Sequence, residues 1–298
     1  MSTPSISVKP ADRTFRWTSS VETSPEVLES LQEAMSTFYA EQTDRSGYQS
    51  MVNEVNAPEL SPDSPDYDIA QRISALAPDC ILEVGCGDGR LYRHVREHGY
   101  SGTYAGVEVA DYVIEENRER YPDGQWRAGT VYELPDVSPV PDVLVAQFVL
   151  EHLVYPKRGL KEMLAAVQPG GTILMVFPDF SASGRFPSQL LGFSVGRAKQ
   201  KLREGRYVDA IVSLYDGRIR LPRALNQATD EYGPFPVNTR PLCLTYPEHM
   251  EPDVDAIYVA TKEEVEAWAR RNGCSVTYSF GHEGRYCETA FMEIRKPE

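Results

Sequence analysis

The apolar run that begins at Ile81 ends in Glu83-Val84-Gly85-Cys86-Gly87-Asp88-Gly89, with three glycines at alternate positions. A strand that runs into glycines and then a helix turns backbone N–H groups and the positive helix end toward a ligand. Glycine removes the Cβ that would block that approach. The dinucleotide fingerprint is G-x-G-x-x-G. Gly85 and Gly87 fit it, but residue 90 is Arg and the third glycine falls one place early, at 89. Further along, Glu108 closes the next strand-like run, where an acid can accept both hydroxyls of a ribose.

Other segments follow in order. Ala128–Pro135 reads AGTVYELP, Pro141–Leu153 reads PDVLVAQFVLEHL, and Leu164–Asp179 reads LAAVQPGGTILMVFPD. The glycine run resembles motif I, E/D-x-G-x-G-x-G, of the class I S-adenosylmethionine-dependent methyltransferases. AGTVYELP resembles the family's adenine segment, with Thr130 where Asp is usual. The other two segments resemble its fourth strand and its Pro-Gly-Gly turn with fifth strand. The resemblance covers about 67–178 and 259–298 and leaves out the N-terminal arm and residues 179–258. It implies S-adenosyl-L-methionine as cofactor. Glu83, Gly85, Cys86, Gly87, Gly89, Glu108, Val109, Thr130, Val131 and Gln147 are the residues expected at it. Cys86 is a small side chain suited to the loop and reads as packing, not as a nucleophile. The transfer needs no metal. It needs a general base when the acceptor is a hydroxyl.

Two histidines are candidates for that base. His152 follows strand four, at the carboxyl end of the sheet where ligands sit, and reads either as a base or as a residue that orders the cofactor loop. His249, in LTYPEHMEP, lies in the stretch where this family places substrate contacts. His94 and His98 read as solvent-facing on the first helix, and His282 lies in the terminal hairpin loop.

The elements that hold these residues alternate between strand and helix from Tyr67 to Asp179, which implies a parallel sheet covered on both faces. The expected strands are 80–84, 102–109, 124–131, 141–150 and 172–179; helices fall at 67–78, 89–99, 111–122 and 156–171. Residues 1 to about 23 read as a polar, poorly ordered arm, and Ser24–Gln42 as a helix. Thr261–Gly273 carries a capping box, Thr261 with Glu264, and two strands close the chain. The expected fold is therefore α/β, a doubly wound, mostly parallel sheet with a C-terminal antiparallel hairpin, an N-terminal helical cap and an inserted lid. The boundaries are 1–66 for arm and cap, 67–178 for the cofactor-binding core, 179–258 for the lid and 259–298 for the end of the core.

Composition narrows the function. A formal net charge of -14 opposes phosphate backbones, so nucleic acid is not an expected partner. No apolar run is long enough to span a membrane, and the N-terminus lacks the apolar region of a secretory signal. Cys80, Cys86, Cys243, Cys274 and Cys287 form no CxxC pair, so reduced thiols in a cytoplasmic protein are expected.

The lid runs against the global charge. From Ser181 to Ala224 nine basic and three acidic residues leave +6. This reads either as a solvated basic face or as attraction for an anionic group. Arg185, Arg240 and Tyr246 from this region, with Tyr39 from the helical cap, are the expected substrate contacts. The expected protein is a methyltransferase acting on an O or N atom of a small molecule in specialised metabolism, as a monomer or homodimer. A protein or carrier-bound substrate is the alternative, and a cofactor-binding regulatory protein without catalysis is the alternative from another class.

Overall fold

A computed structural model describes residues 17–21, 24–40, 64–134, 136–183, 198–203, 205–215, 218–219, 222–223, 235–246, 255–278, 280–281 and 288–298. In chain order the strands are β1 Trp17–Ser19, β2 Cys80–Val84, β3 Thr103–Glu108, β4 Gln125–Ala128, β5 Val143–Gln147, β6 Thr172–Pro178, β7 Pro236–Asn238, β8 Ser275–Thr277 and β9 Thr289–Arg295. The helices are α1 Pro25–Ala40, α2 Pro65–Leu76, α3 Arg90–Glu97, α4 Asp111–Arg120, α5 Pro156–Ala166, α6 Phe180–Ser183, α7 Ala198–Arg203, α8 Tyr207–Tyr215 and α9 Lys262–Arg271. Among the described residues no helix is long and apolar enough to cross a membrane.

The chain folds as two units. The sheet unit takes Asn56–Leu150, Tyr155–Pro178 and Val265–Glu298; the first unit takes Met1–Val55, Glu151–Val154 and Asp179–Glu264.

In the sheet unit the strand order is β4-β3-β2-β5-β6-β9-β8. The strands from β4 to β6 are parallel, and β9 runs antiparallel to both β6 and β8. This is the expected mixed α/β sheet. All five residues of β2 are buried, as a strand covered on both faces requires. Ile81, Val143, Val145, Leu174 and Val176 share a core with Ile69 and Ile73 of α2 and Leu91 and Val95 of α3. The sheet reverses winding at β2, which pairs with β3 on one side and β5 on the other. Ligands of open α/β sheets bind beyond the carboxyl ends of strands at such a switch. Local sequence explains the helix next to it. Ser64 caps α2, its Oγ accepting from Tyr67 N–H at 3.2 Å, with Pro65 in the first turn.

Several expectations are corrected. The strand expected over 141–150 stops at Gln147, because Phe148 takes a positive φ of 52° and residues 150–152 then coil into a 3₁₀ turn. The strand expected over 124–131 is only Gln125–Ala128. His94 is buried at 1% exposure, in contrast to His98, which is exposed. Burial holds the His94 imidazole below its ordinary pKa.

In the first unit, part of the expected disordered arm is a strand. β1 pairs antiparallel with β7, Trp17 opposite Asn238. The strand β7 also bridges to Tyr258 and exchanges bonds with residues 257–259, Asn238 N–H donating to Ile257 O at 2.7 Å and Val259 N–H donating to Pro236 O at 2.8 Å. Helix α1 buries Leu28, Leu31, Met35 and Phe38, the helical spacing read from sequence. Met35 lies against Cys243, Sγ to Sδ 3.9 Å. The capping box at α9 is half formed. Glu264 N–H donates to Thr261 Oγ1 at 3.3 Å, but the Glu264 carboxylate does not return to Thr261. It accepts instead from Phe235 N–H at 3.0 Å and from Tyr258 O–H at 2.5 Å, because β7 and the 257–259 segment bring those donors closer.

Candidate functional site

Two constellations carry chemistry, one in each unit. In the sheet unit the β2–α3 loop is held by its own backbone. Gly85 N–H and Cys86 N–H both donate to Val107 O, at 2.8 and 3.1 Å, and Gly89 N–H donates to Cys86 O at 3.0 Å. Gly85, Gly87 and Gly89 have φ of 71°, 47° and 73°, the left-handed region that favours glycine. The three glycines serve different ends. A Cβ on Gly85 would lie 2.4 Å from Val149 Cγ2, and one on Gly89 would lie 2.9 Å from the Tyr121 ring. A Cβ on Gly87 would meet no atom within 4 Å. Gly85 and Gly89 therefore let the protein pack, and Gly87 leaves open room beside backbone donors.

Glu108 stands at the edge of that room. Its Oε2 accepts from Gly87 N–H at 3.2 Å and its Oε1 from Val109 N–H at 2.8 Å. Opposite, Asn117 of α4 donates from Nδ2 to Gly87 O at 2.7 Å. Asn117 is fully buried, and its Oδ1 has no hydrogen-bond partner among the described residues. The sequence reading missed this residue. The available signal was a polar side chain at position 117 on the same helical face as buried Ile114.

Thr130 and Val131 begin the turn after β4; Thr130 is exposed, Val131 is buried, and Thr130 O accepts from Glu133 N–H at 3.1 Å. Val109 is 44% exposed. Cys86 is buried with its Sγ 2.9 Å from where a Cβ of Gly106 would stand, and burial pushes its thiol well above the ordinary range. It fills the gap that Gly106 leaves. Glu83 points into the protein, where it accepts from Tyr104 O–H. Burial, with the charges of Asp66, Asp88 and Glu108, holds its carboxyl well above the carboxylate range. Gln147 ends β5, half-buried, close enough to the buried Asp66 carboxyl to favour its charged form. Burial raises Asp66, against the opposing effect of Arg90 and His94. Phe148 was also missed. It is 36% exposed and holds a strained φ at the carboxyl end of β5, a combination that concentrates at functional sites.

In the first unit His152 sits among acids. Its Nδ1 is 3.5 Å from Asp255 Oδ2, and its Nε2 is 3.8 Å from Glu151 Oε1. Tyr39 O–H donates to the same Asp255 Oδ2 at 3.0 Å, and the Tyr39 and His152 rings meet edge to face at 6.2 Å. Glu151 O accepts from Ile257 N–H at 2.6 Å and Tyr258 N–H at 2.8 Å, which places Asp255 beside His152. Two expected residues, Tyr39 and His152, thus come together, and Asp255 joins them without having been expected. Arg240 is exposed, its N–H donating to Asn238 Oδ1 at 3.1 Å, and Tyr246 is half-buried after the 242–244 turn. His249, Arg185, His282 and Pro135 lie outside the described residues.

The sheet-unit residues fit the expected cofactor. A nucleoside needs acceptors for its ribose hydroxyls, which Glu108 offers, and room against backbone, which Gly87 leaves.

Comparison with known proteins agrees. A family model described as "Methyltransferase domain" matches residues 63–278. The trans-aconitate 2-methyltransferase of Methylobacterium nodulans is 27% identical over 120 residues, 39% of this chain and 44% of that protein. A probable S-adenosylmethionine-dependent methyltransferase of Mycolicibacterium smegmatis is 30% identical over 99 residues, 33% of this chain and 38% of that protein. The chain thus spans less than half the length of these curated relatives. Among solved structures, the N-methyltransferase NodS of Bradyrhizobium japonicum WM9, in complex with S-adenosyl-L-homocysteine, aligns with a TM-score of 0.45 at 13% identity, over 85% of this chain and 99% of that one. With its model matched over more than two thirds of the sequence, the chain belongs to the methyltransferase-domain family, as a class I, S-adenosylmethionine-dependent member.

Proposed function

We propose that this protein transfers a methyl group from S-adenosyl-L-methionine to an oxygen or nitrogen of a small molecule, with the basic residues of 185–223 serving an anionic group on it. The observation that carries the cofactor half is Glu108, whose two oxygens flank the open room at Gly87. When bound there, the cofactor supplies an electrophilic methyl group on a sulfonium, whose C–S bonding pair returns to sulfur as the methyl leaves. The protein's share is to orient and to exclude water. Glu108 would hold the ribose, Gly85 to Gly89 the backbone contacts, Val131 the base and Gln147 the methionine end.

The acceptor half has two supports. The relatives include trans-aconitate 2-methyltransferases and ubiquinone biosynthesis O-methyltransferases. Both names specify small molecules, and the first an anionic one. Exposed Lys199, Arg203, Arg218 and Arg223 give the lid region its positive surface. Lys201 is buried and is not part of it. Calorimetric titration decides the reading: heat with S-adenosyl-L-methionine and none with NAD is the expected result, and the absence of heat with the sulfonium cofactor would overturn it. Transfer of a labelled methyl group to a small hydroxyl or amine compound would then establish turnover.

A further inference from the structure

Resting on that methyl-transfer reading, we propose that Asp255, anchored by Tyr39, fixes the tautomer of His152 so that its Nε2 takes the proton of a hydroxyl acceptor. The cluster lies within the first unit and is built from three separate parts of the chain. Asp255 is 4% exposed and Glu151 2%, whereas the His152 side chain is 26% exposed. Both acids are enclosed, and a quarter of the imidazole is open.

The geometry gives the two ring nitrogens different work. Asp255 Oδ2 stands 3.5 Å from Nδ1, a separation that tightens to a hydrogen bond when the ring carries its proton there. A carboxylate on Nδ1 favours the Nδ1–H tautomer and puts the lone pair on Nε2. Glu151 Oε1 stands 3.8 Å from Nε2, beyond hydrogen-bond reach. Asp255 is itself held. Tyr39 O–H binds the same oxygen at 3.0 Å, and the two N–H bonds onto Glu151 O fix the chain that carries Asp255. Tyr39 in turn belongs to α1, which is locked by Leu28, Leu31, Met35 and Phe38.

This machinery selects the acceptor. A carboxylate or a thiolate has no proton to remove, and a neutral amine attacks with its own lone pair and sheds a proton to water only after the methyl group has arrived. A hydroxyl becomes a good nucleophile only as its proton leaves. The hydroxyl proton passes to Nε2 while the oxygen lone pair takes the methyl group, and His152 becomes an imidazolium facing Asp255. The proton then leaves to water and the neutral Nδ1–H form returns. Asp255 and Tyr39 are positioning residues, and His152 is the catalytic residue.

Two arms test this with the full chain. In the first, ¹⁵N-histidine labelling and long-range ¹H–¹⁵N spectra read the tautomer of neutral His152, assigned with His152→Gln. The Nδ1–H form is expected in the wild type. Asp255→Asn should lose the preference, and Tyr39→Phe, the milder change, should weaken it. A purely structural role would leave the tautomer alone, and an Nε2–H wild type overturns the proposal. In the second, catechol, aniline and benzoate are offered with labelled S-adenosyl-L-methionine. The hydroxyl compound should be methylated, with kcat falling about 10²–10⁴-fold in His152→Gln at little change in KM. Methylation of aniline or benzoate that survives His152→Gln overturns the proposal. Calorimetry separates the two readings: a wild type that fails to bind S-adenosyl-L-methionine defeats the function, whereas the wrong tautomer with binding intact defeats only this inference.

Discussion

The glycine loop of the sheet unit and the His152 cluster of the first unit hold their working atoms by opposite means. The loop is fixed by backbone bonds onto Val107 O and by rings pressed against Gly89, none of which changes protonation near neutral pH. The cluster is fixed by side chains: Tyr39 O–H and the His152 ring meet at Asp255 Oδ2, and in the same unit Tyr258 O–H binds Glu264, whose carboxyl burial raises to about 7. A site that must only cradle a ligand gains from contacts that never change. A site that must move a proton requires contacts that do, and it gives up rigidity to get them. The contrast implies that substitutions in the loop act through shape and those in the first unit through protons.

The largest effect is expected at Gly85. In Gly85→Ala the new Cβ must displace Val149 Cγ2 from 2.4 Å while the residue stays at φ 71°. The left-handed conformation and overpacking together cost roughly 2–5 kcal/mol. Urea unfolding should show that loss at every pH between 5 and 8. A loss that varied with pH would erase the contrast.

Glu264 should behave the other way. Burial raises its carboxyl to about 7 in the folded protein, against the opposing bonds from Tyr258 and Phe235. The folded state then holds the proton more tightly than the unfolded chain. Stability from this group is full below about pH 4.5 and falls as pH rises toward about 7. The total is about 3 kcal/mol. Glu264→Gln should flatten the pH dependence of unfolding in that window, and a slope unchanged by the substitution would remove Glu264 as its source.

The same contrast governs how much could be read from residues alone. The mostly parallel α/β sheet, the glycine loop and Glu108 follow from local patterns, because alternating elements and closely spaced glycines lie together in the chain. His152 and Tyr39 were legible singly, as a histidine after strand four and an aromatic on an amphipathic helix. Their meeting was not, because it depends on Asp255, which nothing in its sequence surroundings marks. The strand at Trp17–Ser19 was hidden for the same reason: its partner is Pro236–Asn238, far along the chain. Glu264 was read as a capping residue from its spacing to Thr261, and lost that role to Phe235 and Tyr258, donors that only tertiary packing delivers.

Glu108→Ala tests the loop's ligand side while leaving the backbone bonds onto Val107 O in place. The wild-type carboxylate accepts from Gly87 and Val109 N–H and would bind the ribose. Removing charged hydrogen bonds of this kind costs about 1.5–3 kcal/mol of cofactor binding. Calorimetry should record S-adenosyl-L-methionine binding weakened about 10- to 150-fold. Affinity that did not fall would mean that the ribose is held elsewhere.

Phe148 gives the smallest and sharpest effect, because it is the loop region's exception. It holds φ 52° without being glycine, immediately after β5, and shows 36% of its surface. A bulky residue in that conformation costs about 1–2 kcal/mol. Asparagine tolerates the left-handed region, so Phe148→Asn should relieve part of that strain and raise stability by up to about 1 kcal/mol. Burial of the ring's inner face sets the limit, since the substitution gives up its apolar contact. If the strain is retained for the ligand, the same variant should bind S-adenosyl-L-methionine or turn over its acceptor less well despite melting higher. A variant that is both more stable and fully active would show that this strained residue serves neither, and that the backbone of the glycine loop alone shapes the cradle.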